Sequence, residues 1–199
     1  MKDPGEIIRA SIDAAESLLA QAGVLRAIAR LIVDSLKDAG RVYLFGNGGS
    51  AADAQHLAAE LVGRFERNRK PVPAVALTAN PSVLTSVSND YGFEHVFERQ
   101  VEAFAGRADV VIGITTSGTS PNVVRALKAA RRRGAATVLF TGAPWKKPGR
   151  TRDRACADRV LVVKSDSTAR IQEAHMLAGH VICALVEEEL FGEGHAQRG

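Results

Sequence analysis

The chain has 199 residues, the length of one domain, and its apolar share of 46% and charged share of 24% are those of a folded globular protein. No segment reaches the ~20 consecutive apolar residues that a membrane span requires, and the first residues lack the apolar stretch of a signal peptide, which indicates a cytoplasmic protein without a membrane partner. Two cysteines, Cys156 and Cys183, are too few for a disulfide framework and form no CxxC metal or redox pair.

The net charge of +4 is placed unevenly. Three consecutive arginines at 131–133 close one predicted helix, and five lysines and arginines lie within residues 146–154. Because no aromatic side chains for base stacking are interleaved, we interpret the arginines as a solvated helix end that complements the negative pole of the helix. Residues 146–154 are predicted to form a mobile loop. No nucleic-acid partner is expected.

Helical and strand-like periodicities alternate along the chain. Apolar spacing over residues 6–39 predicts two helices around Gly23, with Gly40 as the terminal cap. Further helices are predicted at 50–67, 81–104 with an interruption at 89–92, 121–134 and 169–190. Short apolar strands are predicted at 42–45, 74–77, 110–114, 137–140 and 160–163.

Strands that are apolar throughout and alternate with helices indicate a parallel sheet covered on both faces. We therefore predict one α/β domain over residues 1–199, a three-layer αβα sandwich with a five-stranded, flavodoxin-like doubly wound sheet. Residues 40–199 form this core, and residues 1–39 form an N-terminal helical extension for oligomer packing, since it has no strand of its own to cover. Ligands of such sheets bind beyond the carboxyl ends of the strands, where the winding direction reverses.

Two turns rich in glycine and hydroxyl groups follow the first and third predicted strands. Residues 46–50 read Gly-Asn-Gly-Gly-Ser, and residues 115–121 read Thr-Thr-Ser-Gly-Thr-Ser-Pro. Small residues let the backbone approach an anion, and both turns end at a predicted helix start, where unpaired N–H groups and the helix dipole favour negative charge. If the two strands are neighbours, both turns face one crevice and predict a site for a phosphorylated small molecule.

The first turn also matches the dinucleotide pattern G-x-G-x-x-A. A nicotinamide site needs an acidic residue at the end of the next strand, where this chain has Leu-Thr-Ala-Asn at residues 77–80. A dinucleotide also leaves the second turn unexplained, whereas the hydroxyls of Thr115, Ser117 and Ser120 are spaced to close around one phosphate group. A simple phosphate ester therefore fits better.

Groups able to move protons or bind a metal lie on two predicted helices. His56 and Glu60 are four residues apart, so they share one helix face with Cβ atoms about 5–6 Å apart, and they can share a proton or a metal ion. An exposed helical pair is an equally good interpretation of this spacing alone. The last helix carries polar residues between 170 and 180 in an otherwise apolar sequence, which indicates a polar group beside it. His175 alone is more typical of a solvated or core-edge histidine than of a ligand.

Five motifs together resemble the bacterial phosphoheptose isomerase family of the sugar isomerase (SIS) domain superfamily, over nearly the whole chain. They are residues 46–50, the His56/Glu60 helix, Ser-Asn-Asp-Tyr-Gly-Phe at 88–93, the turn at 115–120, and Arg-Ile-Gln-Glu at 170–173 with His180. Two departures are visible: Thr115 stands where many members have serine, and Ala169 where some have aspartate. The first preserves the hydroxyl, and the second affects only a peripheral contact.

The resemblance implies an aldose-ketose isomerase that converts D-sedoheptulose 7-phosphate to D-glycero-D-manno-heptose 7-phosphate, the first step of nucleotide-activated heptose biosynthesis for surface polysaccharides. It implies a homotetramer with sites at subunit interfaces and one zinc ion per subunit. The implied zinc ligands are His56, Glu60, Gln172 and His180. The implied sugar-phosphate contacts are Asn47, Gly48, Gly49, Ser50, Glu60, Asn89, Asp90, Thr115, Thr116, Ser117, Ser120 and Gln172, with Arg64 adding charge nearby.

Glu60 and His180 are our hypothesis for the acid/base pair, because moving a carbonyl between C2 and C1 requires a proton to leave one carbon and return to its neighbour through an enediol. A nearby zinc ion would polarise the carbonyl, but a carboxylate bound tightly to zinc is a poorer base, so the metal can instead be structural. Gln172 and His180 are about 12 Å apart along one helix, so binding to one ion is easier if some ligands come from another subunit.

Two alternatives belong to the same superfamily. Non-catalytic members, including a relative that binds the bacterial replication initiator and regulatory sugar-phosphate sensors, keep the hydroxyl-rich turn. The replication-associated relative lacks the equivalents of Glu60 and His180, which this chain has, so an isomerase is favoured. A phosphosugar deaminase or aminosugar isomerase usually has a longer chain or a second copy of the domain.

Overall fold

A computed structural model of the chain describes residues 3–143 and 156–192. Within these residues, all strands belong to one parallel sheet with the order β2-β1-β3-β4-β5. The strands are β1 (Val42–Gly46), β2 (Ala74–Ala76), β3 (Val110–Thr115), β4 (Ala136–Gly142) and β5 (Arg159–Val163). The predicted five-stranded, doubly wound α/β fold is confirmed.

Helices cover both faces of the sheet. They are α1 (Pro4–Glu16), α2 (Ala22–Lys37), α3 (Gly49–Val62), α4 (Pro81–Tyr91), α5 (Glu98–Phe104), α6 (Pro121–Arg132) and α7 (Thr168–Phe191), with single 3-10 turns at Leu19–Gln21 and Phe93–His95. Alternate strand residues point to opposite faces, so each strand contributes to two cores. One core is formed with α1, α2, α3 and α7, and the other with α4, α5 and α6.

The winding direction reverses between β1 and β3, which are hydrogen-bonded neighbours with Gly46 beside Ile114. The helix that follows β1 packs on one face and the helix that follows β3 packs on the other. The two glycine- and hydroxyl-rich turns therefore leave the same edge of the sheet, as the sequence predicts.

The N-terminal helices differ from the expectation of an extension without a strand to cover. The apolar stripe of α2, including Ile28, Ile32 and Val33, is buried against the sheet and α7, so α2 belongs to the three-layer core. In contrast, α1 exposes Ile7, Ile8 and Ile12 to solvent. The carbonyl of Ile7 accepts a hydrogen bond from the Arg170 guanidinium, which ties α1 to α7.

Several helix boundaries differ from the predicted ones. The break between the first two helices lies at residues 17–21, and Gly23 is inside the first turn of α2. The left-handed residue after α2 is Ala39, with φ 58°, while Gly40 follows it and donates to the carbonyl of Ser35. Gly40 is still required, because a Cβ there would lie 2.0 Å from the carbonyl oxygen of Ala108. The helix break predicted at 89–92 lies at 92–97, since residues 89–91 are the last turn of α4.

The arginines at the end of α6 make intramolecular contacts. Arg131 pairs with Asp158, Arg132 with two glutamates of α5, and Arg133 with the carbonyl of Ala105. The basic segment at 146–154 lies outside the described residues. Both cysteines are buried and unbridged. None of the described helices is long and apolar enough to cross a membrane.

Candidate functional site

A cavity of about 270 Å³ opens at the point where the winding direction reverses. It is lined by Asn47, Gly48, Gly49, Ser50, Ile114, Thr115, Thr116, Ser117, Ser120, Thr168 and Gln172. Both predicted turns contribute to it, and the start of α7 closes it. The structure thus brings most of the predicted phosphate-contacting residues into one place.

Glycines shape the first turn. Gly48 has φ 56° and ψ −122°, a conformation that only glycine adopts without strain, and a Cβ there would meet open space rather than protein. A Cβ at Gly49 would lie 2.5 Å from the amide nitrogen of Gln172. The turn therefore presents bare backbone to the cavity while α7 packs directly against it.

Hydroxyl groups line the second turn as a connected set. Thr115 Oγ1 lies 2.8 Å from Ser120 Oγ and 3.3 Å from Ser117 Oγ, and Ser117 Oγ accepts from the Thr119 backbone N–H at 3.2 Å. Hydroxyls can both donate and accept, so these groups can bond to one another and can also turn their protons toward an anion. This arrangement suits the oxygens of a phosphate group.

Three helices begin at the cavity, and none of them has a side-chain cap. The starts of α3, α6 and α7 make no side-chain cap hydrogen bond. The starts of α2 and α5 also lack one, whereas α1 and α4 are capped by Asp3 and Asn80. Uncapped N–H groups and three helix dipoles converge on the same space. An anion bound there would supply the missing acceptors.

The two turns are locked together by Asn47 and Asn122. Each side-chain amide donates to the other's oxygen, at 2.9 and 2.8 Å. Asn122 is buried at the start of α6, so it fixes the distance between the turn after β1 and the turn after β3. Sequence reasoning missed Asn122, because nothing local distinguishes an asparagine in the first turn of a helix.

A second cluster lies farther along α3 and α7. The Nε2 atoms of His56 and His180 are 2.9 Å apart, and Glu60 Oε1 lies 3.3 Å from His56 Nε2. One ligand atom from each of the three side chains falls within 4.8 Å of the others, which is a spacing that could hold a metal ion. The spacing of His56 and Glu60 is therefore more than an isolated helical pair.

The two helices run parallel, because Gly49 packs on Gln172 and Leu57 packs on Gly179. The seven residues from Gly49 to His56 correspond to about 10 Å along the helix. The cavity and the His/Glu cluster thus lie about two helical turns apart along α3 and α7.

Other predicted site residues lie elsewhere on this chain. Asn89 and Asp90 are exposed at the end of α4, where the Asn89 amide donates to Asp90 at 2.8 Å, and Arg64 is exposed just after α3. None of the three lines the cavity. Gln172 lies at the cavity rather than beside His180, two turns farther along α7.

Half-buried Asp53 and buried His175 are two ionisable groups near the site. Burial raises the pKa of Asp53, three residues before His56, to about 6, and its Oδ2 has no hydrogen-bond partner in the described part of the chain. Burial lowers the pKa of His175 to about 4, which the nearby Thr141 backbone offsets only in part, so His175 is neutral near pH 7. His175 is therefore a fully buried core histidine, which differs from the solvated or core-edge position that the sequence indicates.

Comparison with known proteins gives one consistent answer. The SIS domain family matches residues 8–142. A phosphoheptose isomerase of Aquifex aeolicus is 56% identical over 81% of this chain and 82% of its own length, and one of Clostridium acetobutylicum is 47% identical over 94% of each chain. The solved structure of a phosphoheptose isomerase from Neisseria gonorrhoeae is 40% identical, with a TM-score of 0.78 over 92% of this chain and 94% of its own. The chain belongs to the phosphoheptose isomerase family of SIS-domain sugar phosphate isomerases.

Proposed function

We propose that the protein interconverts D-sedoheptulose 7-phosphate and D-glycero-D-manno-heptose 7-phosphate, as the first step toward nucleotide-activated heptose. The observation that carries the proposal is the pairing of an anion cavity with a His/Glu cluster two turns away on the same parallel helices. An open-chain heptose 7-phosphate has its phosphate at one end and C1 and C2 at the other. It can therefore fill the cavity with one end and reach Glu60 and His180 with the other.

The residues of the cluster fit a zinc ion. Zinc prefers imidazole nitrogen and carboxylate oxygen ligands at about 2.0–2.2 Å. Two Nε2 atoms facing each other at 2.9 Å, with a carboxylate oxygen beside them, are the donor set of such a site. His56, Glu60 and His180 would hold the ion. Gln172, which the family resemblance implies as a further ligand, lies two turns away at the cavity of the same chain, so it would have to reach the cluster of a neighbouring subunit. Bound zinc would supply Lewis-acid polarisation of the substrate carbonyl.

The side chains of this chain account for the proton transfers. The Glu60 carboxylate takes a proton from C1 of the ketose and returns it to C2, while the His180 imidazole moves a proton between the oxygens on C1 and C2. One Glu60 oxygen faces His56, and its second oxygen is available for the proton. The hydroxyls of the second turn and the bare backbone at Gly48 hold the phosphate, which keeps C1 and C2 aligned with these groups.

A homotetramer in the cytoplasm is part of the proposal. The exposed isoleucines of α1 form an apolar face that a second copy would bury. Asn89, Asp90 and Arg64 can act on the sugar if they complete the site of a neighbouring subunit. A monomeric mass by light scattering, together with full activity, would overturn this assembly.

The reaction is tested by incubating the protein with sedoheptulose 7-phosphate, before and after chelation, and following aldose formation by NMR. Glu60→Gln and His180→Gln are expected to abolish turnover while leaving the fold intact. Glu102→Gln is the matched control, because Glu102 is exposed on the opposite face of the sheet, where it pairs with Arg132. Absence of product with the wild-type protein in either condition would favour a non-catalytic sugar-phosphate-binding protein.

A further inference from the structure

A buried ion pair lies beside the His/Glu cluster. The side chains of Arg69 and Glu187 are each 2% exposed, and Arg69 Nε donates to Glu187 Oε1 at 2.8 Å. The Glu187 carboxylate also accepts three consecutive backbone N–H groups, from Phe65 at 2.9 Å, Glu66 at 3.0 Å and Arg67 at 2.9 Å. One carboxylate on α7 thus holds the whole turn that follows α3.

The Arg69 guanidinium binds the other side of the same turn. It donates to the backbone carbonyls of Glu60 at 2.8 Å, Leu61 at 2.7 Å and Gly63 at 3.2 Å. The last carbonyls of a helix have no partner within it, and α3 ends at Val62. Arg69 therefore caps the end of α3, and the first carbonyl that it binds belongs to Glu60 itself.

The pair also reaches His180. The Phe65 ring lies against the His180 ring, with centroids 5.3 Å apart, and the Phe65 backbone N–H is bound by Glu187. Glu187 and His180 are seven residues apart on α7, so they share one face of the helix. The ion pair is therefore connected to both proposed acid/base groups. Arg69 binds the backbone carbonyl of Glu60, and Glu187 binds the backbone of Phe65, whose ring packs against His180.

Stability alone does not account for this pair. Burial by itself would raise the pKa of Glu187, but the three backbone N–H groups and Arg69 outweigh it, so the pKa is lowered and the carboxylate stays charged. A buried ion pair carries a large desolvation penalty and often stabilises a protein no more than apolar residues would. What it provides is a fixed geometry, because Arg69 and Glu187 together satisfy seven backbone groups of the adjoining segment.

We infer that Arg69 and Glu187 are positioning residues, which hold Glu60 and His180 at the separation that metal binding and proton transfer require. The inference rests on the proposed function for its catalytic consequence, but its geometric content is independent of the substrate. Partners that orient metal ligands from outside the site typically change metal affinity or activity by about 10–100-fold when they are removed.

The first test uses Arg69→Met and Glu187→Gln, with Arg132→Met as the matched control because the Arg132 side chain is 59% exposed and its ion pairs lie on the opposite face of the sheet. Three quantities are measured: the NMR signal of the His180 ring in ¹³C-histidine protein, zinc affinity by chelator competition, and inorganic phosphate affinity. His180→Gln assigns the ring signal. Phe65→Leu shows how that signal moves when the aromatic neighbour is lost.

In both variants of the pair we expect the His180 signal to move as it does in Phe65→Leu, and zinc affinity to fall about 10–100-fold. Phosphate affinity should stay at the wild-type value, because the cavity lies two turns away. With sedoheptulose 7-phosphate, kcat should fall more than KM rises. Folded variants with the wild-type His180 signal and wild-type zinc affinity would overturn the inference. A wild-type protein without isomerase activity would defeat the proposed function alone, because the His180 signal still decides the geometry.

Arg69→Lys tests the positioning role of Arg69 if Arg69→Met does not fold. Lysine keeps the charge beside Glu187, but a single ammonium lacks the planar fork that reaches several carbonyls at once. We expect a folded protein in which zinc affinity remains low and the His180 signal remains displaced. Full recovery of both by lysine would show that only the charge matters and would overturn the positioning role.

Discussion

The close contact between Gly179 and Leu57 makes Gly179→Ala a sharp test of the helix pair. A Cβ at Gly179 would lie 2.4 and 2.6 Å from the two Cδ atoms of Leu57 and 3.0 Å from its Cγ. Ordinary carbon contacts are about 3.5–4.0 Å, and rotating the terminal methyl groups cannot relieve the contact with Cγ. We therefore expect α3 and α7 to separate locally by about 0.5–1 Å.

This separation would act directly on the proposed metal site, because His56 precedes Leu57 and His180 follows Gly179. Overpacking of a core contact costs about 1–3 kcal/mol, and the gain in helix propensity from glycine to alanine returns about 1 kcal/mol. The net loss of stability should be about 0–2 kcal/mol, which a folded protein tolerates. Moving the proposed ligands of α3 relative to His180 by such a distance should weaken zinc binding by at least about tenfold, or 1.4 kcal/mol.

The assay combines urea unfolding with zinc affinity measured by chelator competition. Gly23→Ala is the matched control, because Gly23 is exposed within α2 and a Cβ there would meet nothing within 4 Å. It should raise stability by about 0.5–1 kcal/mol and leave zinc affinity unchanged. If Gly179→Ala binds zinc as tightly as the wild type, the helix contact does not set the His56–His180 distance and the reasoning is wrong.

Three further predictions follow from local geometry. Ala39→Gly should stabilise the protein by about 0.5–1 kcal/mol in urea unfolding, because Ala39 has φ 58° and is exposed; a lower stability would contradict this. Gly48→Ala should reduce inorganic phosphate affinity about tenfold in calorimetric titration, because its backbone conformation strains any side chain at a cost of about 1–3 kcal/mol. His175 has a pKa lowered from 6.5 to about 4, so the unfolded chain binds its proton first and stability is lost as the pH falls through this window. When the pH is lowered from about 7.5 to about 5, the free energy of unfolding should therefore fall by about 2 kcal/mol less in His175→Leu than in the wild type. Equal decreases in urea unfolding at the two pH values would refute the lowered pKa of His175.

The sequence predicts the strands, the fold and the meeting of the two turns at one cavity, because each depends on local pattern. A buried parallel strand such as β3 is an unbroken apolar run, and the turns after β1 and β3 carry the small residues that close approach requires. The position of the helix break at residues 17–21 and the left-handed Ala39 are less visible, because nothing in their residue types marks them. At Ala39 the tertiary contact of Gly40 with Ala108 overrides the usual preference for glycine at the left-handed position.

The contacts that complete the candidate site are beyond sequence reasoning for a physical reason. Asn47 and Asn122 are 75 residues apart, and Glu187 binds backbone groups about 120 residues before it. No spacing rule links such positions, since their meeting depends on how β1 and β3 pair and on how α3 lies against α7. The distance between His56 and His180 has the same origin.

The parallel helix pair explains why glycines matter as much as ligands in this fold. At one level Gly49 lets Gln172 of α7 close the anion cavity, and two turns later Gly179 lets Leu57 of α3 approach α7 so closely that His56 and His180 meet. Beyond that level, Arg69 and Glu187 fix the end of α3 against α7. Helices α3 and α7 are therefore held together at three positions along their length. The reacting end of a substrate held by its phosphate would lie beside the second position, between the first and the third. If Glu60 and His180 act as proposed, their geometry depends on the helix contact as a whole, and substitutions at these packing positions should impair function before they impair folding.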